Sequence, residues 1–169
     1  MPTPSMSAEA VIEAMTTLHS AGITAWIGGG WGIDALVGER TRVHRDLDLA
    51  IRSEDLEDAL RALSALGYET SLDLRPVRLV ASAADGRSID LHPVTFGDDG
   101  IGRQPGDDGR VFEYPPDAFG QGTIAGVDVP CLTADQLVRF HLGYEPLDHD
   151  RQDMALLRDR LGVEVPPPD

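Results

Sequence analysis

The sequence contains little cysteine and no long apolar segment. Cys131 is its one cysteine, so no internal disulfide can form and nothing indicates an oxidising compartment. No apolar run approaches the ~18–20 residues that a membrane-spanning helix needs, and the chain does not begin with the basic and apolar regions of a secretion signal. We therefore expect a cytoplasmic protein without a membrane partner. Cys131 follows Pro130 at the end of a predicted strand, and we expect a small buried hydrophobe rather than a catalytic thiol.

Basic residues are also scarce. The 169 residues include 14 Lys and Arg against 29 Asp and Glu, a formal net charge of −15. This balance argues against a long basic groove for nucleic acid. It suits a cationic small-molecule ligand, and it is equally explained by solubility alone. His92 and His141 are not spaced with other histidines or with cysteine in a zinc-binding pattern, so no zinc site is predicted.

Hydrophobic periodicity predicts an α/β (α+β) protein. It indicates a small mixed, mainly antiparallel sheet with helices packed on one side, followed by a helical C-terminal region. The predicted helices span 8–21, 31–37, 53–66, 133–142 and 150–161, and the predicted strands span 23–27, 47–51, 68–72, 77–81, 88–92 and 123–129.

Residues 93–122 interrupt this pattern with many Gly, Pro and acidic residues. They predict an irregular segment, which could be an acidic rim for a substrate or a solvated excursion. We divide the chain into a core, 1–95, and a second part, 96–169. The acidic loop segment, strand and helices of the second part are expected to complete the acceptor site.

The stretch that organises the chain is 27–51. A glycine-rich turn that includes Gly29 and Gly30 opens a short helix, and a strand with Asp46 and Asp48 follows. Because side chains alternate across a strand, the two carboxylates point to one face. Two converging acids require a cation, and Mg²⁺ is commonly held by one or two carboxylates and substrate phosphates. The glycine backbone lets a phosphate approach closely, and a helix N-terminus attracts negative charge.

Further candidates lie on either side of the two acids. Asp90 and His92 share one face of the predicted strand 88–92, which makes Asp90 a third carboxylate, either metal ligand or general base. Arg42 and His44 precede the acidic strand, and they either donate to the phosphates of a nucleotide or are plain surface residues.

Two aromatic residues and two acids have open roles. Trp31 could stack on a nucleotide base, and core packing explains it as well. Asp34 is expected to hold a neighbouring loop. Tyr144 and Glu145 follow a predicted helix end and could line an acceptor pocket, although packing explains Tyr144 equally.

These residues resemble a known superfamily. Gly29-Gly30, the short helix and Asp46-x-Asp48 look like the signature of nucleotidyltransferases with a DNA polymerase β-like catalytic core. The run Gly-Gly-Trp-Gly-x-Asp, followed by Arg-x-His-Arg-Asp-x-Asp, resembles small antibiotic nucleotidyltransferases. The second half, with Ile-Asp-Leu-His-Pro at 89–93 and Phe-His-x-Gly-Tyr at 140–144, resembles the small lincosamide type. The first half is also similar to aminoglycoside 2″-nucleotidyltransferases, and the resemblance covers about 10–161.

The resemblance implies a reaction and a set of residue roles. The reaction is Mg²⁺-dependent transfer of a nucleoside monophosphate, usually AMP from ATP or another NTP, to an antibiotic hydroxyl, with release of pyrophosphate. Two metal ions are expected. The implied roles are metal binding and catalysis for Asp46, Asp48 and Asp90, nucleotide binding for Gly29, Gly30, Arg42 and His44, and acceptor binding for His92, His141, Tyr144 and Glu145.

The acceptor has alternatives. A lincosamide is predicted first, and an aminoglycoside modified at its 2″-hydroxyl is second. The lincosamide enzymes carry an acid at the position of Gly28, whereas the aminoglycoside type has glycine there. An alternative of another functional class is an antitoxin-like nucleotidyltransferase, which acts on or binds a protein partner. A homodimer could also build the acceptor pocket at its interface.

Overall fold

The computed structural model describes residues 4–140 and 148–165 of the chain. No helix in these ranges is long and apolar enough to cross a bilayer. Short 3₁₀ turns lie at Ser53–Asp55 and Pro116–Ala118. The helices are α1 (Ala8–Ser20), α2 (Gly29–Val37), α3 (Leu56–Ser64), α4 (Ala134–Phe140) and α5 (Asp148–Leu161), and the strands are β1 (Ala25–Gly28), β2 (Asp46–Arg52), β3 (Glu69–Leu74), β4 (Arg78–Ser82), β5 (Ser88–Phe96), β6 (Gly102–Pro105), β7 (Val111–Tyr114), β8 (Phe119–Ile124) and β9 (Val127–Leu132).

The strands form one mixed sheet in the order β3-β4-β5-β2-β1-β9-β8, and β6 and β7 extend it from β5. The pairs β2–β5 and β1–β9 are parallel. The other pairs are antiparallel. The predicted α/β class with a mixed, mainly antiparallel sheet is therefore confirmed. Strands from both sides of residue 95 contribute to the sheet.

Helices cover both faces of the sheet, so the prediction of helices on one side was wrong. Leu47 and Leu49 of β2 point to the face on which α1 and α3 pack. Ala50 points to the opposite face, where Leu137 of α4 and Leu157 of α5 are fully buried. Because this second face is also apolar, it needs a cover, and the two C-terminal helices provide it.

The prediction of an irregular segment at 93–122 was also wrong. It contains the β6–β7 hairpin and β8. Two of its acidic residues stabilise the turns: Asp99 and Asp108 each accept a hydrogen bond from the backbone N–H two residues later, as Asp residues do in tight turns. The side chain of Arg103 holds the pKa of Asp99 below its usual range, and the backbone N–H of Arg110 lowers the pKa of Asp108, with a further contribution from the Arg110 guanidinium.

Cys131 lies inside β9 and is fully buried. Burial raises the pKa of its thiol to about 11, so the thiolate is scarce near neutral pH. Its predicted role as a small buried hydrophobe is confirmed.

Candidate active site

The floor of the site is formed where β1, β2 and β5 lie side by side. Gly28 pairs with Asp48, and Asp48 pairs in parallel register with Asp90. His92 lies two residues beyond Asp90 on the same face. Its Nε2 is 3.2 Å from Asp48 Oδ1 and 3.7 Å from Asp90 Oδ1. The register of three strands therefore brings two carboxylates and an imidazole to one point.

This group of three side chains has the donor set of a metal site. Each offers a ligand atom, and these atoms lie within 4.8 Å of one another. Asp90 Oδ2 accepts from Arg78 Nη1 at 3.0 Å, whereas its buried Oδ1 has no hydrogen-bond partner among the described residues. A buried acceptor without a donor is costly, and a divalent cation at this point would satisfy it. Carboxylate oxygens are the ligands that Mg²⁺ prefers.

Asp46 lies on the same face of β2 but does not belong to this group. It sits at the exposed start of the strand, opposite Ser88 of β5. Partial burial and the nearby charge of Asp48 raise its pKa, so the two carboxylates repel each other across this face. Metal binding by Asp46 stays a prediction.

The titration of Asp90 makes stability depend on pH. Burial raises its pKa above 3.8, and the charges of Asp48 and Asp46 add to this, against opposing effects of His92 and Arg78. The folded state therefore binds this proton more tightly than the unfolded state. As pH rises from the unfolded pKa through the folded pKa, the proton is lost and the free energy of unfolding falls.

We expect the effect of Asp90 on stability to appear when the metal-free wild type is compared with the metal-free variant Asp90→Asn. Asp90→Asn stays neutral at every pH, so its free energy of unfolding should rise relative to wild type as pH increases from about 4 through the folded pKa. Urea denaturation in the presence of a chelator, at a series of pH values, measures this difference. A difference that is constant with pH would contradict the assignment.

The glycine turn fits tightly against these acids. Gly29 begins α2 with φ +57°, and a Cβ there would overlap the carboxylate of Asp48. At Gly30, a Cβ would overlap the ring of His44 and the guanidinium of Arg42. The helix starts two residues earlier than predicted because the glycines themselves form its first turn. These glycines allow the helix N-terminus to approach the acidic strand.

Asp34 holds the loop that follows α2, as predicted. Its carboxylate accepts from Thr41 N at 3.0 Å and Thr41 Oγ1 at 2.6 Å, and it lies 2.5 Å from His44 Nε2. His44 is 3% exposed, and its ring lies 4.9 Å from the ring of Trp31. Trp31 is buried, which confirms its role in packing. With Nε2 engaged by Asp34, a phosphate contact of His44 would use Nδ1, which faces Gly30, and stays a prediction.

We expect Asp34→Ala to be strongly destabilising. It would leave the buried His44 ring and the Thr41 hydroxyl without their acceptor, at a cost of about 3–5 kcal/mol in the free energy of unfolding. The corresponding fall in Tm is roughly 10 °C. Thermal denaturation measures it, with Asp128→Ala as the matched control, since Asp128 is exposed. Equal Tm values for the two variants would contradict the role of Asp34.

Arg42 connects the glycine turn to α5. Its Nη2 lies 3.3 Å from Asp153 Oδ2, and Asp153 is 3% exposed. The guanidinium also lies beside Gly30. Sequence reasoning singled out Arg42 but missed Asp153, which was only one acid among several in a polar helix.

A pocket of about 280 Å³ opens over the floor formed by β1, β2 and β5, which we call the catalytic floor because it carries Asp48, Asp90 and His92, the residues of the proposed chemistry. Gln104 and Tyr114 of the β6–β7 hairpin belong to its wall and were missed, because their segment had been predicted as irregular. His92 lines the pocket, and its predicted contact with the acceptor stays a prediction, whereas His141, Tyr144 and Glu145 lie outside the described residues. The lining residues are Gly28, Gly29, Asp48, Ala50, His92, Gln104, Phe112, Tyr114, Leu132, Leu137 and Phe140.

Comparison with known proteins identifies the family. The sequence model of the aminoglycoside-2″-adenylyltransferase family matches residues 10–157. The chain belongs to this family. Its relatives include a lincosamide resistance protein of Staphylococcus haemolyticus, 28% identical over 136 residues that make up 80% of this chain and 84% of the relative. A 2″-aminoglycoside nucleotidyltransferase of Klebsiella pneumoniae is 30% identical over 136 residues, 78% of this chain and 71% of the relative.

A solved structure agrees with this assignment. The lincomycin-bound lincosamide antibiotic adenylyltransferase LnuA superimposes with a TM-score of 0.81 at 25% identity, covering 91% of this chain and 98% of LnuA. The predicted relationship to small antibiotic nucleotidyltransferases of the lincosamide and aminoglycoside types is therefore confirmed.

Proposed function

We propose that this aminoglycoside-2″-adenylyltransferase family member transfers AMP from ATP to a hydroxyl of a lincosamide, with Mg²⁺. The observation that carries the proposal is the parallel register of Asp48 and Asp90 beside the turn at Gly29. It combines a site for a divalent cation with a helix N-terminus that can receive phosphate.

The reaction requires one bond to form and one to break. The acceptor oxygen attacks the α-phosphorus and forms a new P–O bond, and the bond from that phosphorus to the oxygen bridging to the β-phosphorus breaks. Pyrophosphate leaves with the electron pair, and the hydroxyl proton passes to Asp90, which would act as the general base. Mg²⁺ bound by Asp48, Asp90 and Asp46 would stabilise charge on the attacking and leaving oxygens.

The nucleotide would lie over the glycine turn. Gly29 and Gly30 leave room for phosphate against the start of α2, and Arg42 stands beside Gly30 with its guanidinium. A triphosphate and Asp153 would share this guanidinium, whose planar donors suit both carboxylate and phosphate.

The wall of the pocket favours a lincosamide over an aminoglycoside. It is largely apolar, with Phe112, Leu132, Leu137 and Phe140 facing the cavity, and Asp48 is the one carboxylate among the described lining residues. An aminoglycoside carries several ammonium groups, each of which would need a carboxylate or water in place of apolar contact. A lincosamide has one basic amine and alkyl groups that could bury against this wall.

Pyrophosphate release from ATP and Mg²⁺ in the presence of lincosamides or aminoglycosides tests the proposal, with mass spectrometry of the acceptor. We expect release and an AMP adduct with lincosamides, and neither with Asp48→Asn. Asp128→Asn is the matched control, because it removes an exposed charge away from the catalytic floor. An AMP adduct with aminoglycosides alone would overturn the assignment of a lincosamide as the acceptor. ATP binding without any adduct would overturn the proposal and favour the antitoxin-like alternative.

A further inference from the structure

A chain of hydrogen bonds leads from the pocket wall to the catalytic floor. The Tyr114 hydroxyl donates to Gln104 Oε1 at 2.5 Å, and Gln104 Nε2 lies 3.4 Å from the carbonyl of Val77 and 3.2 Å from His92 Nδ1. His92 Nε2 then meets Asp48 at 3.2 Å. Gln104 and Tyr114 are 7% and 2% exposed, so water does not replace these partners freely. The side chain of Gln104 therefore has a defined orientation.

That orientation determines which nitrogen of His92 carries a proton. The carbonyl of Val77 can only accept, so it selects the NH₂ end of the Gln104 amide, and the Tyr114 hydroxyl satisfies the other end. Burial keeps Tyr114 protonated by raising its pKa, so it remains a donor to Oε1. The Gln104 NH₂ group then donates to His92 Nδ1. A neutral imidazole that accepts at Nδ1 carries its proton on Nε2, where it donates to Asp48.

We propose that Gln104 is a positioning residue that keeps the proton on His92 Nε2, so that His92 donates to Asp48 and does not bind the metal. A histidine nitrogen can bind a metal only when it is unprotonated. To free Nε2, the proton would have to move to Nδ1, where it would face the NH₂ group of Gln104. The metal is thereby left with carboxylate oxygens from the three-residue group.

This restriction determines which metal the site prefers. Imidazole nitrogen suits Zn²⁺ and other transition metals, whereas oxygen ligands suit Mg²⁺. Asp48, Asp90 and His92 are close enough to bind a transition metal together, so the tautomer of His92 decides whether they do. The inference rests on the proposed function, in that it concerns the metal that the function requires.

The tautomer can be measured in the full chain without nucleotide or acceptor. We expect the ¹⁵N shifts of His92 in Mg²⁺-loaded protein, above the pKa of this histidine, to show an unprotonated Nδ1 and a protonated Nε2. On addition of Zn²⁺ in place of Mg²⁺, Nε2 should remain protonated. A protonated Nδ1 with a bare Nε2, or binding of Zn²⁺ at Nε2, would overturn the proposal.

Substitution of Gln104 tests its role directly. Gln104→Glu supplies an acceptor to Nδ1–H, so the ¹⁵N pattern should reverse and the ratio of Zn²⁺ to Mg²⁺ affinity, measured by calorimetry, should rise about tenfold or more. Gln104→Glu combined with His92→Ala should lose this rise, because the added charge alone does not select between the metals. An unchanged ratio in Gln104→Glu, or a rise that persists in the double variant, would overturn the proposal.

These measurements separate the inference from the proposed function. If no antibiotic is modified but the tautomer and the metal ratio behave as expected, the function is wrong and the role of Gln104 stands. If a lincosamide is modified while His92 binds the metal, the function stands and the role of Gln104 is wrong.

Discussion

Asp48→Asn is expected to lower kcat for nucleotide transfer by at least about a thousandfold, because a neutral amide binds a divalent cation far more weakly than a carboxylate. Asp48 is the side chain at the centre of the floor, between Gly28 on β1 and Asp90 on β5. Asp46, the other acid of β2, lies outside the three-residue group and does not replace Asp48. The loss should therefore appear in the rate and should not be recovered by higher concentrations of ATP.

The fold of this variant should be intact. The asparagine carbonyl can still accept from His92 Nε2, and removal of one charge reduces the repulsion with Asp46 and Asp90. We expect a Tm equal to or above that of the wild type in the absence of metal. Steady-state kinetics with Asp128→Asn as the control decides the matter: turnover of Asp48→Asn near the wild-type rate would refute the metal assignment.

Gly29→Ala is expected to lower kcat/KM by about a hundredfold, equivalent to about 2.7 kcal/mol of transition-state stabilisation. A methyl group at this position overlaps the Asp48 carboxylate, so either the acid or the start of α2 must move. Both carry the proposed chemistry, and small displacements of reacting groups can cost two orders of magnitude in rate. Kinetics with ATP and the acceptor identified by mass spectrometry would measure the loss.

Gly38→Ala is the matched control for Gly29→Ala. Gly38 ends the same helix with φ +87°, and a Cβ there meets no atom within 4 Å. Both variants carry the strain of a left-handed residue, about 1–2 kcal/mol. The contact with Asp48 is specific to Gly29→Ala. Similar kinetics for the two variants would show that backbone strain, and not the contact with Asp48, causes any loss.

The sequence predicted the acids of the site better than their arrangement. Alternation was enough to place Asp46 and Asp48 together on one face of their strand, and Asp90 and His92 together on one face of theirs, because the side-chain period of a strand is local. The register between β2 and β5 is not local. It puts Asp90 opposite Asp48 and leaves Asp46 opposite Ser88, which is why Asp46 is absent from the three-residue group.

The hairpin β6–β7 shows how turn chemistry can be overlooked. Asp-Gly at 85–86 lies between the predicted strands 77–81 and 88–92, and Asp-Gly at 99–100 and 108–109 has the same turn chemistry, with the glycine at positive φ in each case. The two strands of this hairpin are only four residues long, and β6 contains Gly102 and Pro105, so β6 lacks the usual strand composition. Recognition of the two further turns would have predicted the hairpin and, with it, the position of Gln104.

Other features of the site depend on contacts that no local pattern reveals. Arg42 and Asp153 are 111 residues apart in the chain, and they meet because α5 packs on the same side of the sheet as the pocket. Arg42 could be selected from its position before the acidic strand, but its partner could not. The burial of His44 likewise depends on Asp34 and Trp31 being brought around it by α2.

The wall of the pocket and its catalytic floor come from different parts of the chain. The acids lie on β2 and β5, which are fixed in the centre of the sheet, whereas Phe112, Leu137 and Phe140 lie on a hairpin and a helix at its margin. Substitutions at these three apolar positions can therefore change which acceptor fits without altering the strand register on which the proposed chemistry depends, whereas Gln104 of the same wall is tied to the floor through His92. Related enzymes could thus acquire new antibiotic substrates while retaining the same catalytic floor.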